Sequence, residues 1–127
     1  GRFLLRRSDL REARQHFIRW YSERAKPLLA SRVEDYRGRM QVSPAGVKMQ
    51  DLGYRWGSCG KGDWLYFHWK TILLPAYIAE YLVVHEMAHL HEPHHTPGFW
   101  LRVERVIPDY ERRMAWLAEN GMGVEAV

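Results

Sequence analysis

The chain has 127 residues and a net charge of +4, with six Trp, seven Tyr and four Phe. That length suits one domain, and the aromatics supply a real core, so a disordered chain is excluded. The lone Cys59 excludes an internal disulfide, which fits a reducing, cytoplasmic location. No apolar run reaches the length of a membrane span, and no signal peptide is recognisable. Gly1 in place of an initiator Met suggests that the natural chain begins further upstream.

The charge is uneven. Residues 1–39 carry eleven Lys and Arg against five acids, and residues 40–127 carry eight against ten. A basic segment of this kind marks either phosphate or nucleic-acid contact or a solvated helix face.

The first helix is expected to start at Ser8 or Asp9, with Glu12 three residues after Asp9 as in a capping box. Leu10, Ala13, Phe17, Trp20/Tyr21 and Leu28 recur at helical spacing, with Arg7, Arg11 and Arg14 on another face. Pro27 is expected to kink or split the helix. Leu29, Val33 and Tyr36 continue the pattern to about Gly38. "SPAG" at 43–46 is turn chemistry, "VKMQDL" alternates as a strand and "YRWGSC" reads as a second strand. "GKGD" at 60–63 reads as a hairpin loop before a third strand, "WLYFHW". Together these predict an antiparallel meander of about three strands leaning on helices.

Pro75 opens the next helix. Ile78, Leu82, His85 and His89 share one face; Ala79, Val83, Met87 and Leu90 cover the other, as in a buried helix. Glu92-Pro93 should end it, and Thr96-Pro97 caps and opens another whose stripe is Phe99, Trp100, Val103, Val106 and Ile107. Pro108-Asp109 restarts the chain, and Tyr110, Met114 and Leu117 line a last helix that Gly121 closes. The fold class is therefore α+β.

Five of the seven histidines fall in residues 85–95. His85-Glu86-Met87-Ala88-His89 matches H-E-x-x-H on a helix. Residues four apart stack on one helix face, so both imidazoles can point at one ion. Glu86 is too offset to be the natural third ligand, yet can reach a water at the metal, as a general base must. A hydrolytic zinc site usually has three protein ligands. His95, six residues after His89 and just past the turn at Pro93, is the expected third. This is the metzincin spacing, with Glu92 where that pattern has glycine. His94, Glu104 and Glu111 are the rivals. His91 reads as a helix-end or supporting residue.

Four stretches then stand together in order: "RWGSC" (55–59), "LLP" (73–75), "VVHEMAHL" (83–90) and "HTPGFW" (95–100), with "IPDYERR" behind. They resemble the YgjP-like metallohydrolase family, grouped with the SprT/WLM-type minimal zinc peptidases. The resemblance spans about residues 45 to 120; the N-terminal helix fits it less specifically. It implies a minimal zincin-like (minigluzincin-like) domain: an N-terminal helix, a three-stranded antiparallel sheet, an active-site helix and two C-terminal helices. It implies one zinc ion per chain on His85, His89 and His95, and Glu86 as catalytic acid/base. Relatives commonly carry asparagine before the third histidine, where His94 stands here. They also tend to have a β-rich N-terminal part, so this chain resembles their catalytic half. The whole is read as a single domain over 1–127, with 1–40 a basic helical segment and 45–120 the catalytic core.

The leading expectation is zinc-dependent hydrolysis of peptide bonds in a peptide or protein substrate, with "WLYFHW" as an edge strand holding the substrate backbone. Candidate stabilisers of the developing oxyanion are Arg55, Tyr110 and His94. One alternative is hydrolysis of a nucleotide phosphoanhydride, for which no Walker-type loop is present. Another is a nucleic-acid-binding module using the Arg-rich N-terminal helix for DNA or nucleotide contact, with no helix-turn-helix or zinc-finger pattern behind it. Trp56, Gly57 and Ser58 are expected to fit a strand against the active-site helix, with Gly57 permitting close approach. Cys59 reads as a buried strand thiol, and His16 as a surface residue. His68 faces either the site or solvent. Phe99 and Trp100 are expected as core that clamps the histidine loop.

Overall fold

A computed structural model describes residues 7–120, and the expected closure at Gly121 lies outside them. The elements are α1 (Arg7–Met40), β1 (Gly46–Gln50), β2 (Gly57–Cys59), β3 (Trp64–His68), α2 (Ala76–Ala88), α3 (Pro97–Val106) and α4 (Tyr110–Asn120). Short 3-10 turns at Lys61–Asp63 and Trp69–Leu73 flank β3. This is the expected α+β order, with one difference in the sheet.

The sheet is mixed, not an antiparallel meander. Its order is β1-β3-β2, with β1 parallel to β3 and β2 antiparallel to it. The "GKGD" loop does join an antiparallel pair, with Gly62 at φ 76° supplying the left-handed residue that the reversal needs. Residues 51–56 form no such hairpin. They carry the chain past the site where β3 later inserts. The third strand is thus the central one, paired on both sides. It cannot serve as the substrate-holding edge; among the described strands, β1 and β2 are the edges.

α1 runs unbroken through Pro27. Proline removes one backbone N–H, and the carbonyl it would have bonded belongs to Glu23. Both Glu23 and Pro27 are exposed, so water can take that carbonyl. The helix also extends past Gly38 to Met40, and Ser8 and Asp9 lie within it. Its buried residues are Ala25, Leu29, Val33, Tyr36 and Met40. The stripe of Leu10, Phe17, Trp20 and Leu28 points outward instead. The buried residues of α1 all lie from Ala25 onward, so burial follows contact with the core and not the first apolar stripe.

α2 is the centre of the molecule. Ile78 and every residue from Tyr81 to Ala88 are buried. Around it pack Leu65 and Phe67 of β3, Phe99 and Val103 of α3, Leu117 of α4 and the inner face of α1. Pro75 sits just outside the first turn, its carbonyl accepting from the N–H groups of Ile78 and Ala79. No described helix is long and apolar enough to cross a membrane.

His68 faces neither the site nor solvent. It is buried at the end of β3, its Nδ1 accepting from the Lys70 N–H at 3.0 Å and its Nε2 lying 3.3 Å from Asp51 Oδ1. Trp56 packs edge-on against its ring. Asp51 in turn pairs with Arg14 at 3.0 Å, tying the outer half of α1 to the sheet.

Candidate metal centre

α2 ends at Ala88, earlier than Glu92-Pro93, but His89 keeps helical angles (φ −63°, ψ −20°) as its C-cap. The i,i+4 relation of His85 and His89 therefore survives the helix end. A turn over residues 90–96 reverses the chain. Thr96 then caps α3, its side-chain oxygen accepting from the Phe99 N–H at 3.3 Å, with Pro97 in the first turn. That turn and cap bring His95 back over α2.

His95 Nε2 lies 3.2 Å from His85 Nε2 and 3.1 Å from His89 Nε2. Among the described residues these three form a group able to hold a metal ion. Three imidazole nitrogens this close cannot all be satisfied by one another's protons. A tetrahedral zinc with bonds of about 2.0–2.1 Å sets its nitrogens about 3.3 Å apart, which the observed spacing fits. Three imidazoles also suit zinc among the common divalent ions.

The opposite ring nitrogens are held from behind. Tyr81 Oη is 3.1 Å from His85 Nδ1, and the Glu92 carbonyl is 3.1 Å from His89 Nδ1. When Nδ1 carries the proton, Nε2 presents its lone pair to the centre. Tyr81 is itself fully buried, and burial first, then the nearby Glu86, pushes its phenol above the usual tyrosine range. It therefore stays a neutral hydroxyl. Phe99 lies under all three imidazoles, its centroid 4.6–5.0 Å from theirs. Trp100 packs beside His85 and His95. His85 and His89 are buried while His95 is exposed, so the site opens on the His95 side.

Glu86 is fully buried, and neither carboxylate oxygen has a hydrogen-bond partner among the described residues. Burial pushes its carboxyl well above the usual carboxylate range, and the Arg55 charge pulls partly back. A buried unsatisfied carboxyl is costly in a purely structural role. Gly57 of β2 lies directly against it.

The remaining candidates fall at different distances from this centre. Arg55 is exposed and acts on Glu86 through its charge. His94 is exposed beside His95 and stands outside the three-histidine group, as do Glu104 and Glu111. Tyr110 stacks on Trp100 with centroids 5.3 Å apart, and its hydroxyl donates to Glu111 at 3.3 Å. His91 donates from Nε2 to the Met40 carbonyl at 3.0 Å, pinning the histidine turn to the end of α1. Cys59 is partly buried, and burial raises its thiol pKa. Tyr81 escaped the sequence reading, although its place four residues before His85 on a buried helix was available as a signal.

The sequence matches the family described as "YgjP-like, metallopeptidase domain" over residues 2–120. The chain belongs to that family. YgjP-like membership makes it a metallopeptidase, acting on peptide substrates and implying a metal. Its fold is similar to that in the "Crystal structure of the metallopeptidase zymogen of Pyrococcus abyssi abylysin", at TM-score 0.69 and 18% identity, covering 78% of this chain and 99% of that one. No match is found among curated proteins.

Proposed function

We propose that this YgjP-like chain is a zinc peptidase in which His85, His89 and His95 hold one zinc ion and Glu86 is the catalytic acid/base. The observation that carries this reading is the approach of His85 Nε2 and His89 Nε2 to His95 Nε2, at 3.2 and 3.1 Å, with a buried carboxylate that has no hydrogen-bond partner among the described residues next to His85 in the chain. Zinc bound there would supply a Lewis acid and lower the pKa of a water to about 7. Glu86 takes one proton from the attacking water as the new C–O bond forms. It passes that proton to the leaving nitrogen as the C–N bond breaks, leaving an amine and a carboxylic acid, whose remaining proton goes to solvent or to the amine. Burial favours this shuttle, because it raises the carboxyl above the usual carboxylate range and so makes it a better proton acceptor than an exposed glutamate.

β2 holds the substrate in this reading. It is an edge strand, three residues long, and its Gly57 touches Glu86. An extended peptide pairing with its open side would lie alongside the acid/base. Arg55, two residues before Gly57, is then the stabiliser best placed by its charge, since that charge already reaches Glu86. We read 1–127 as one domain, because α1 packs onto α2 and β1 of the core.

Metal content of the purified protein, measured together with cleavage of a fluorogenic peptide library, tests this. The expectation is about one zinc per chain. Glu86→Gln should keep that zinc and lose about 10²–10⁴-fold in kcat. A Glu86→Gln protein with full zinc and full activity would overturn the assignment.

A further inference from the structure

A second site lies outside the metal centre. Where the end of α1 meets α3, Arg39, Gln41, His91, Arg102 and Arg105 line a pocket of about 220 Å³. We propose that this pocket binds a phosphate group.

Three arginines from two separate helices line it, against little opposing charge among the described residues. Among the described residues Arg102 alone of the three has an ion-pair partner, Glu92, and the separation is a loose 3.8 Å. Arg39 and Arg105 have no ion pair among the described residues; Arg39 lies over the Tyr36 ring at 5.5 Å. In the same half of α1, Arg24 lies over Trp20, Arg32 pairs with Asp35 and Arg37 pairs with Glu34. The excess of positive charge at this end of the helix thus falls on the pocket.

A simpler account is that arginines favour helix C-termini, and Arg39 and Arg105 do sit in last turns. It leaves two facts unexplained. Arg102 is in the middle of α3, and the Met40 carbonyl at the end of α1 is already taken by the His91 imidazole. Like charges gathered around a concavity repel unless an anion sits between them. The number and arrangement also select the anion. A carboxylate is satisfied by one bidentate arginine, whereas three guanidiniums approaching from two helices match the several oxygens of a tetrahedral phosphate. His91 donates from Nε2 to the Met40 carbonyl, which fixes that wall of the pocket to the end of α1.

Such a group can come from free phosphate or from the backbone of a nucleic-acid strand. The test uses the metal-loaded protein, titrated calorimetrically with inorganic phosphate at constant ionic strength. One phosphate per chain should bind at the pocket. The exposed pair Arg39→Gln and Arg105→Gln together should weaken it at least about tenfold, with zinc content and circular dichroism unchanged. Charge reversal in Arg105→Glu should weaken it as well. No binding overturns the proposal. Binding that survives both variants also overturns it, because the phosphate is then held elsewhere. A fluorescein-labelled single-stranded oligonucleotide, followed by anisotropy, identifies the source. Affinity lost in the same variants, and competed by phosphate, points to a nucleic-acid backbone. Phosphate binding with no oligonucleotide binding points to a small phosphate ligand. Oligonucleotide binding indifferent to these arginines, with no phosphate binding, counts against the pocket.

Discussion

Gly57 lies so close to Glu86 that a Cβ there would fall 2.9 Å from both the Cγ and the Oε2 of the carboxylate side chain. Side chains essentially never pack at that distance. The edge strand and the Glu86 carboxyl are therefore fitted to each other through a missing side chain. Gly57→Ala should displace Glu86 without touching any of the three histidines. The expected result is unchanged zinc content with kcat lowered by about tenfold or more, since small displacements at a reacting group are costly. Loss of zinc in step with activity would mean that the strand supports the ligands instead.

Tyr81 gives a second, separable prediction. Its hydroxyl is 3.1 Å from His85 Nδ1, and it is buried in the middle of α2. Tyr81→Phe keeps the ring and its packing but removes that hydrogen bond. Partners of ligating histidines are typically worth about 10–100-fold in metal affinity. Zinc affinity, measured by competition with a chromogenic chelator, should fall within that range while the thermal midpoint of the metal-free protein stays close to that of the parent. Unchanged affinity would reduce Tyr81 to a packing residue.

The third position can be tested against its neighbour. His95 Nε2 is within 3.2 Å of both other imidazoles, and His94 stands outside the group. His95→Ala should empty the site of zinc, and His94→Ala should leave it filled. Thr96→Ala, which removes the cap next to His95, should cost about 1 kcal/mol of stability by chemical denaturation. The reverse pattern, with zinc lost in His94→Ala only, would move the ligand by one residue.

These residues were legible in the sequence to different degrees, for physical reasons. His85, Glu86 and His89 are placed by helix periodicity alone, so their spacing encodes their geometry. His95 needed the turn at Pro93 and the cap at Thr96, both of which proline and threonine signal locally. Strand pairing was not legible. An alternating strand has the same period whether its neighbour is parallel or antiparallel, so "VKMQDL" could not reveal that it pairs with β3. The choice of β3 as the edge failed for the same reason. In α1, the periodic stripe from Leu10 to Leu28 was visible, but which stripe becomes buried depends on where the helix meets the core, and that is tertiary information. Pro27 was over-read because an exposed carbonyl can be solvated.

His68 provides a prediction about pH that does not involve the metal. Burial comes first among the causes that hold its imidazole below the usual histidine value; Lys70 and Arg14 push the same way, and Asp51 opposes them. The folded protein therefore resists a proton that the unfolded chain accepts at about 6.5. Unfolding takes up that proton as the pH drops, so this residue's contribution to stability is present above the unfolded value and declines as pH falls towards the folded one. The Asp51 carboxylate, held below its usual range chiefly by the Gly53 N–H, stays charged throughout that window. Asp51→Asn removes the one group that favours the imidazolium, so the His68 pKa should fall further in the folded protein, visible as a shift of its ring resonances in an NMR titration. The stability of His68→Gln relative to the parent should improve between pH 7 and 5, because the variant lacks the proton uptake. A constant difference over that range would show that His68 does not titrate differently in the folded and unfolded states.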